Sequence, residues 1–478
     1  MKKLVRRHRK KIVALCIVLL VPVVLHVSVG LFVRFEPAPV TAAPLVMKEE
    51  AGVRRAGAGW SVMLGDLRLV ALTGTPEEIG TQHPTLLYDR MALNEEVLWS
   101  GLETIVPVPP LRTLLFDMAR AQYRHVDRGF PDARRRELSA QARAFTPDPY
   151  EKHLPTYTRM VFLHALYDIA LGFEHSPLLG CSAFGVGPAL TADGHALFAR
   201  AFDFEAADVF DRDKAVFFVR ETGKLPFVSV AWPGFVGVVT GMNAEGVAIT
   251  VNGGRAREPS TEGIPVPFAI REILQNAHDT AEATALLAKQ PVMVSHILFV
   301  GDAKGNYAVV ERAPGVPTHV IPGRTALTNH FEGPLASDPQ NERIRATTTT
   351  LPRRARLDEL LRDVPPRSAT VPSTVAMLRD HRCAGGESCG LGDRRTIDAF
   401  IATHGVVADL TAKALWVSEG PHLSGRFVKI DVAGLVETGE PPRNALDVVP
   451  VDAVLGNGGY EEGRARAGGP LLKEGRKR

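Results

Sequence analysis

The chain changes character at one peptide bond, Gly180–Cys181. From Thr75 to about Leu171 the apolar pattern is mostly helical, as in "YTRMVFLHALYDIALGF", with Pro-rich breaks at "VPVPP" and "TPDP". After Cys181, short β-type runs alternate with turn signals: "ADG", "ETGK", "NAEG" and "DAKGN". Strands joined by hairpins, with helices inserted in blocks, predict an α+β chain whose antiparallel sheets are covered by helices. A strand "LRLVALTG" precedes the first long helix. Thr75 is its N-cap, Pro76 its first residue, and Glu78 completes a capping box. Asp279 and Glu282 predict a second box. Further helices are expected over "NERIRATTTT", "RRARLDELLR" and "PSTVAMLRD", and strands over "ALWVS" and "GRFVKIDV".

The 478 residues suffice for a large core, and the formal net charge of +3 gives no case for a nucleic-acid partner. Much of the positive excess lies at the ends, in the leader 1–11 and the closing "KEGRKR". Residues 12–33 form an apolar run long enough for a bilayer, which takes about 20 residues. With the basic leader ahead of it, this predicts a single-pass transmembrane anchor with the body outside the cytoplasm. The Pro/Ala segment 34–59 reads as a linker, 60–180 as a mostly helical piece and 181–435 as the β-rich piece. Residues 436–478 read as a C-terminal extension, Gly- and charge-rich and partly disordered.

Of four cysteines, Cys16 lies inside the apolar run. Cys383 and Cys389 flank "CAGGESC" and can bridge in an oxidising compartment. No His or Cys pair stands near them with ligand spacing, so neither a metal nor any other cofactor is expected. Cys181 is left without a partner. Were the bond before it cut, Cys181 would carry a thiol and a free α-amine on one residue. An amine of pKa about 7.7–8.0 can serve as general base for the thiol.

Five stretches, "GTPEEIGTQHPTLL", "GCSAFGV…TADGHALFARAFDFE", "GMNAEGVAITVNGG", "LTNHFEG" and "RRTIDAFIA", follow one another in a telling order. In that order the chain resembles the acyl-coenzyme A:6-aminopenicillanic acid acyltransferase family, autoproteolytic cysteine N-terminal nucleophile hydrolases. The resemblance covers roughly residues 60–432. It implies a four-layer αββα sandwich, self-cleavage between Gly180 and Cys181, and an α/β heterodimer afterwards. It also implies that Cys181 is the nucleophile, that Arg200 and Asp203 hold it, that Asn252 serves the oxyanion, and that Asn329 is the second active-site asparagine. Ser337 and Arg343 fall where the family often has an S…R element for substrate. His330 reads as structural, and Ser182 as a strand residue. Ala201 and Asp398 depart from the family pattern and put the acyl pocket in doubt.

The implied activity is hydrolysis of a small N-acyl or amide substrate, or acyl transfer, through an S-acyl enzyme. Two other readings stay open at this level: a lipid-type amidase or phospholipase-like acyl hydrolase, and an uncleaved, non-catalytic, membrane-anchored binding protein. The sequence has no P-loop, no H-E-x-x-H and no G-x-S-x-G elbow.

Overall fold

The computed structural model describes residue 11 and residues 20–172, 179–204, 207–443 and 445–468. Its frame is two sheets, one of eleven strands and one of seven. The larger is stitched across the Gly180–Cys181 bond. Leu67–Gly74, from before that bond, pairs in parallel with Ala215–Glu221, from after it. The other strand pairings described within the two sheets are antiparallel.

Alternation along the strands divides the core into layers. Val216 and Phe218 point between the sheets, where they meet Phe198, Val406 and Val428. Phe217 and Val219 point the other way, onto Leu138, Phe268 and Ile273 of the helices. On the far side of the smaller sheet, Leu197 and Val407 pack with Leu357 and Val375 of the helices Thr350–Arg362 and Val371–Leu378. The order is helices, sheet, sheet, helices.

Thr75 caps Pro76–Ile105 with both arms of its capping box in place, and the helix kinks at Leu87, three residues past Pro84. Only half of the second expected box forms. Asp279 accepts from Glu282 N, but the Glu282 carboxylate turns back to His278 N and its ring.

Three expectations need correction. The single-pass anchor over 12–33, and with it the body's placement, is overturned: among the described residues no helix is long and apolar enough to cross a membrane. Residues 1–10 and 12–19, Cys16 included, lie outside the described residues. The described helical stretch 20–32 ends docked on the body. Val29 and Val33 are buried, His26 Nδ1 lies 2.8 Å from Asp117 Oδ2, and Arg120 donates to Val33 O at 3.1 Å. The linker 34–59 is likewise tied down. Phe35 is buried, Ala38 N donates to Ser139 Oγ, and strands begin at Lys48. Pro and Ala carry no periodicity that would announce this. In the extension, Gly459–Ala467 is a helix, held by Tyr460 edge-on to Phe400 and by Arg464 donating to Phe400 O. Residues 469–478 lie outside the described residues.

Candidate active site

Cys181 stands on the strand Leu179–Val186, in register with Phe202 on the antiparallel strand Leu197–Phe204. Period two places Cys181 on the same face as Ala183, and Arg200 on the same face as Phe198, both toward the other sheet. Gly180 pairs with Asp203. A Cβ on Gly180 would meet Asp203 Oδ2 at 3.5 Å, an ordinary contact, so neither space nor backbone demands glycine there in the uncut chain.

Arg200 is the hub, fully buried. It donates to Cys181 Sγ (3.3 Å), Val251 O (2.6 Å) and Asn252 Oδ1 (2.6 Å), with its guanidinium 4.8 Å above the Phe202 ring. That bond fixes the Asn252 amide, whose Nδ2 then donates to Cys181 O (3.2 Å) and Thr328 O (2.9 Å). Asn329 Oδ1 accepts from Cys181 N at 2.8 Å, and its Nδ2 donates to Gly253 O at 2.9 Å. The backbone N–H of Asn329 is held by Thr350 Oγ1. Five of the expected residues, Cys181, Arg200, Asp203, Asn252 and Asn329, are thus gathered around one strand end, all buried.

Ser337 and Arg343 do not join them; both are exposed. A second arginine on the cluster is Arg353, which the sequence reading missed. Its Nη1 donates to Cys181 O (2.6 Å) and Ser182 Oγ (3.0 Å), and its Nη2 to Asn329 Oδ1 (2.9 Å). A signal was present. Thr350, Arg353 and Leu357 follow the i, i+3, i+7 spacing of a helix's buried face, so an arginine occupies a core position. Three other arginines in "RRARLDELLR" hid it.

Burial pushes the Cys181 thiol up from its ordinary value, and the nearby Arg200 offsets this only in part. The thiol of the uncut chain is therefore protonated at neutral pH. Burial pulls both Arg200 and Arg353 down, opposed by Cys181 and Asp203, with Tyr167 also acting on Arg200. His404, stacked on Phe202 at 4.9 Å, is held well below its usual range by burial and then by Arg200, and stays neutral. His330 sits against Thr350 Oγ1 at 2.9 Å, one residue along from Asn329. The two departures lie off this face. Ala201 packs on the outer helices, and Asp398 Oδ1 accepts from Phe400 N.

Cys383 and Cys389 are joined (S–S 2.03 Å), and their loop is fastened to the Arg353 helix by Gly385 N donating to Glu359 Oε1.

Comparison with known proteins bears out the resemblance. Residues 190–383 match the family model described as "Acyl-coenzyme A:6-aminopenicillanic acid acyl-transferase". An uncharacterized protein of Archaeoglobus fulgidus is 26% identical over 256 residues, 50% of this chain; the chain spans only 42% of that relative's length. Solved structures are similar as well, among them these three. A Caenorhabditis elegans N-acylethanolamine-hydrolyzing acid amidase ortholog matches at 15% identity, over 48% of this chain and 93% of its own, TM-score 0.36. Penicillin V acylase from Agrobacterium tumefaciens matches at 18%, over 52% and 91%, TM-score 0.35. A mutant of the conjugated bile acid hydrolase from Clostridium perfringens matches at 13%, over 57% and 97%, TM-score 0.38.

Proposed function

Taking the acyl-coenzyme A:6-aminopenicillanic acid acyl-transferase family match over residues 190–383 as premise, we propose that this chain is an amide hydrolase or acyltransferase whose nucleophile is Cys181. The observation that carries the reading is the pair of grips on one residue: Asn329 Oδ1 on its nitrogen and Arg200 on its sulfur. A structural cysteine needs neither.

Maturation begins with the Cys181 thiol adding to the Gly180 carbonyl. The C–N bond then breaks, the proton goes to the Cys181 nitrogen, and a thioester to Gly180 remains. Water cleaves the thioester, leaving a Gly180 carboxylate and a free Cys181 amine. That amine keeps Asn329 as its partner. With a pKa near 7.7–8.0 it takes the thiol proton when Cys181 attacks a substrate amide, and passes it to the leaving amine. Water or an acceptor amine resolves the S-acyl enzyme. Asn252 Nδ2 and Arg353 Nη1, which converge on the Cys181 carbonyl oxygen in the uncut chain, are the donors nearest to hand for an oxyanion. The shared large sheet keeps the two pieces together as a heterodimer.

The test is N-terminal sequencing and intact mass of the wild type beside Cys181→Ala, with both assayed on a panel of N-acyl amides. The expected result is a second N-terminus at Cys181 and amide hydrolysis in the wild type only. A wild type that hydrolyses amides with its 180–181 bond intact would refute the maturation step.

A further inference from the structure

Two neighbouring pairs of residues divide between the nucleophile and a second site. Asn329 and Arg353 reach Cys181. The next residues in the chain, His330 and Arg354, line an open cleft of about 390 Å³ together with Arg324, Glu332, Arg345 and Asp358. Three guanidiniums there face two carboxylates. Glu332 is held between Arg324 Nη2 (2.5 Å) and Arg354 Nη1, and Asp358 takes the Nε of Arg354 at 3.0 and 3.2 Å. Arg345, on the helix Pro339–Thr347, is exposed and makes no ion pair or side-chain hydrogen bond among the described residues.

We propose that this cleft binds a small oxyanion, the carboxylate or phosphate group of a soluble molecule, with Arg345 and the open edge of Arg324 as donors. Three features carry it. The guanidinium fork matches the planar or tetrahedral oxygens of such groups. The cleft already seats one carboxylate, that of Glu332, between two arginines. One cation is left over, and it has open volume in front of it. Glu332 is then a built-in competitor, which gives the site a signature that a solvated patch of arginines lacks. Removing Arg345 weakens binding, whereas neutralising Glu332 strengthens it. The site is distinct from the nucleophile's own donors and does not depend on the amidase reading.

The experiment is isothermal titration calorimetry on the full chain at constant ionic strength, with inorganic phosphate in one arm, succinate in another and chloride as reference. Expected is binding of phosphate or succinate with Kd below about 1 mM. Arg345→Gln should weaken it about tenfold or more, and Glu332→Gln should tighten it about threefold or more. The stronger arm identifies the group. Should Glu332→Gln fail to fold, Asp358→Asn removes charge from the same cleft and carries the same expected sign. Heats no larger than those of chloride, or one affinity shared by all variants, would overturn the proposal.

Discussion

Two clusters of buried arginines are built on opposite principles. In the contact between the N-terminal piece and the rest, Arg134 and Arg271 meet Glu137 and Glu221. Arg134 bonds both glutamates, Arg271 reaches Glu137 at 2.9 Å and Glu221 at 3.3 Å, and Gln275 adds a bond to Glu221 at 2.7 Å. Two positive charges balance two negative ones in a closed set. Around Cys181, Arg200 and Arg353 face a thiol that burial pushes up and the carboxylate of Asp203. Among the described residues that set carries a positive surplus. Burying an uncompensated charge is costly, and a fold keeps it where a negative charge is to appear. A thiolate or an oxyanion is such a charge. Under the proposed function, the balanced set would hold the two pieces together and the unbalanced one would meet the charge that the reaction develops.

The sharpest way to break the contrast is to unbalance the balanced site. Arg271→Met leaves two glutamates facing one arginine in a dry interior. It should cost about 3–5 kcal/mol, the usual penalty for removing one partner of a buried pair. Urea unfolding gives the stability. The fraction of folded molecules cut after Gly180 should stay as in the wild type. A loss of cutting without a loss of stability would mean that the two clusters are not separable.

The converse change removes surplus charge from the reactive site. Arg353→Met should lower turnover of an amide substrate about 10²–10³-fold, equivalent to roughly 2.7–4 kcal/mol of transition-state stabilisation, with KM nearly unchanged. An equal fall in stability and activity would instead make Arg353 a packing residue.

A third test uses pH, because the contact that holds the pieces also contains two neutral histidines. His83 Nε2 accepts from Gly234 N at 2.9 Å, and His164 Nε2 from Val236 N at 3.0 Å, so two helices of the N-terminal piece grip one loop of the other. His83 faces His164 and Arg271, and His164 faces Arg271 and the Phe235 and Phe268 rings. Burial above all, with the His164 ring and Arg271 beside it, holds His83 at about 3; burial, opposed by the bond to Met160 O and aided by Arg271, holds His164 at about 4. The unfolded chain binds these protons at about 6.5, so their contribution is complete above pH 6.5 and is lost as pH falls toward 4 and 3. Each adds up to about 1.4 kcal/mol of loss per pH unit. Unfolding curves at pH 7, 6 and 5 should show a shallower slope for His83→Gln than for the wild type. Identical slopes would remove the histidines from the account.

What could be read in advance follows the same division. The Cys181 cluster was legible through the family resemblance, which matched "GCS", R-x-x-D, "VNGG" and "TNH" in order; each motif alone is compatible with an ordinary core, turn or surface residue. Arg353 was not, since a helix rich in arginine does not say which of them reaches Cys181 until its packing is known. The switch between helical and alternating patterns gave an α+β chain with helix-covered antiparallel sheets, and the family resemblance supplied the four αββα layers. The docking of Val29, Val33 and Phe35 on the body was not legible, because an apolar run does not say which of its residues will meet protein. The balanced network was also invisible: Arg134, Glu137, Glu221 and Arg271 come from three separate elements that only tertiary packing brings together.

The smallest expected effect tests whether position in sequence or position in space defines the reactive arginine. Arg343 occupies the place that family spacing suggests, yet it stands exposed on Pro339–Thr347, ten residues and one helix away from the arginine that touches Cys181. Exposed charges in high dielectric contribute little, and surface substitutions usually fall within about 0.5 kcal/mol. Ser337→Ala and Arg343→Ala, singly or together, should therefore leave stability within that range and leave cutting after Gly180 unchanged. Arg353→Met in the same assay supplies the contrast. Were Arg343→Ala to slow cutting or turnover tenfold, the exposed arginine would have to move onto the site when substrate binds, and the surplus charge at Cys181 would have a third source.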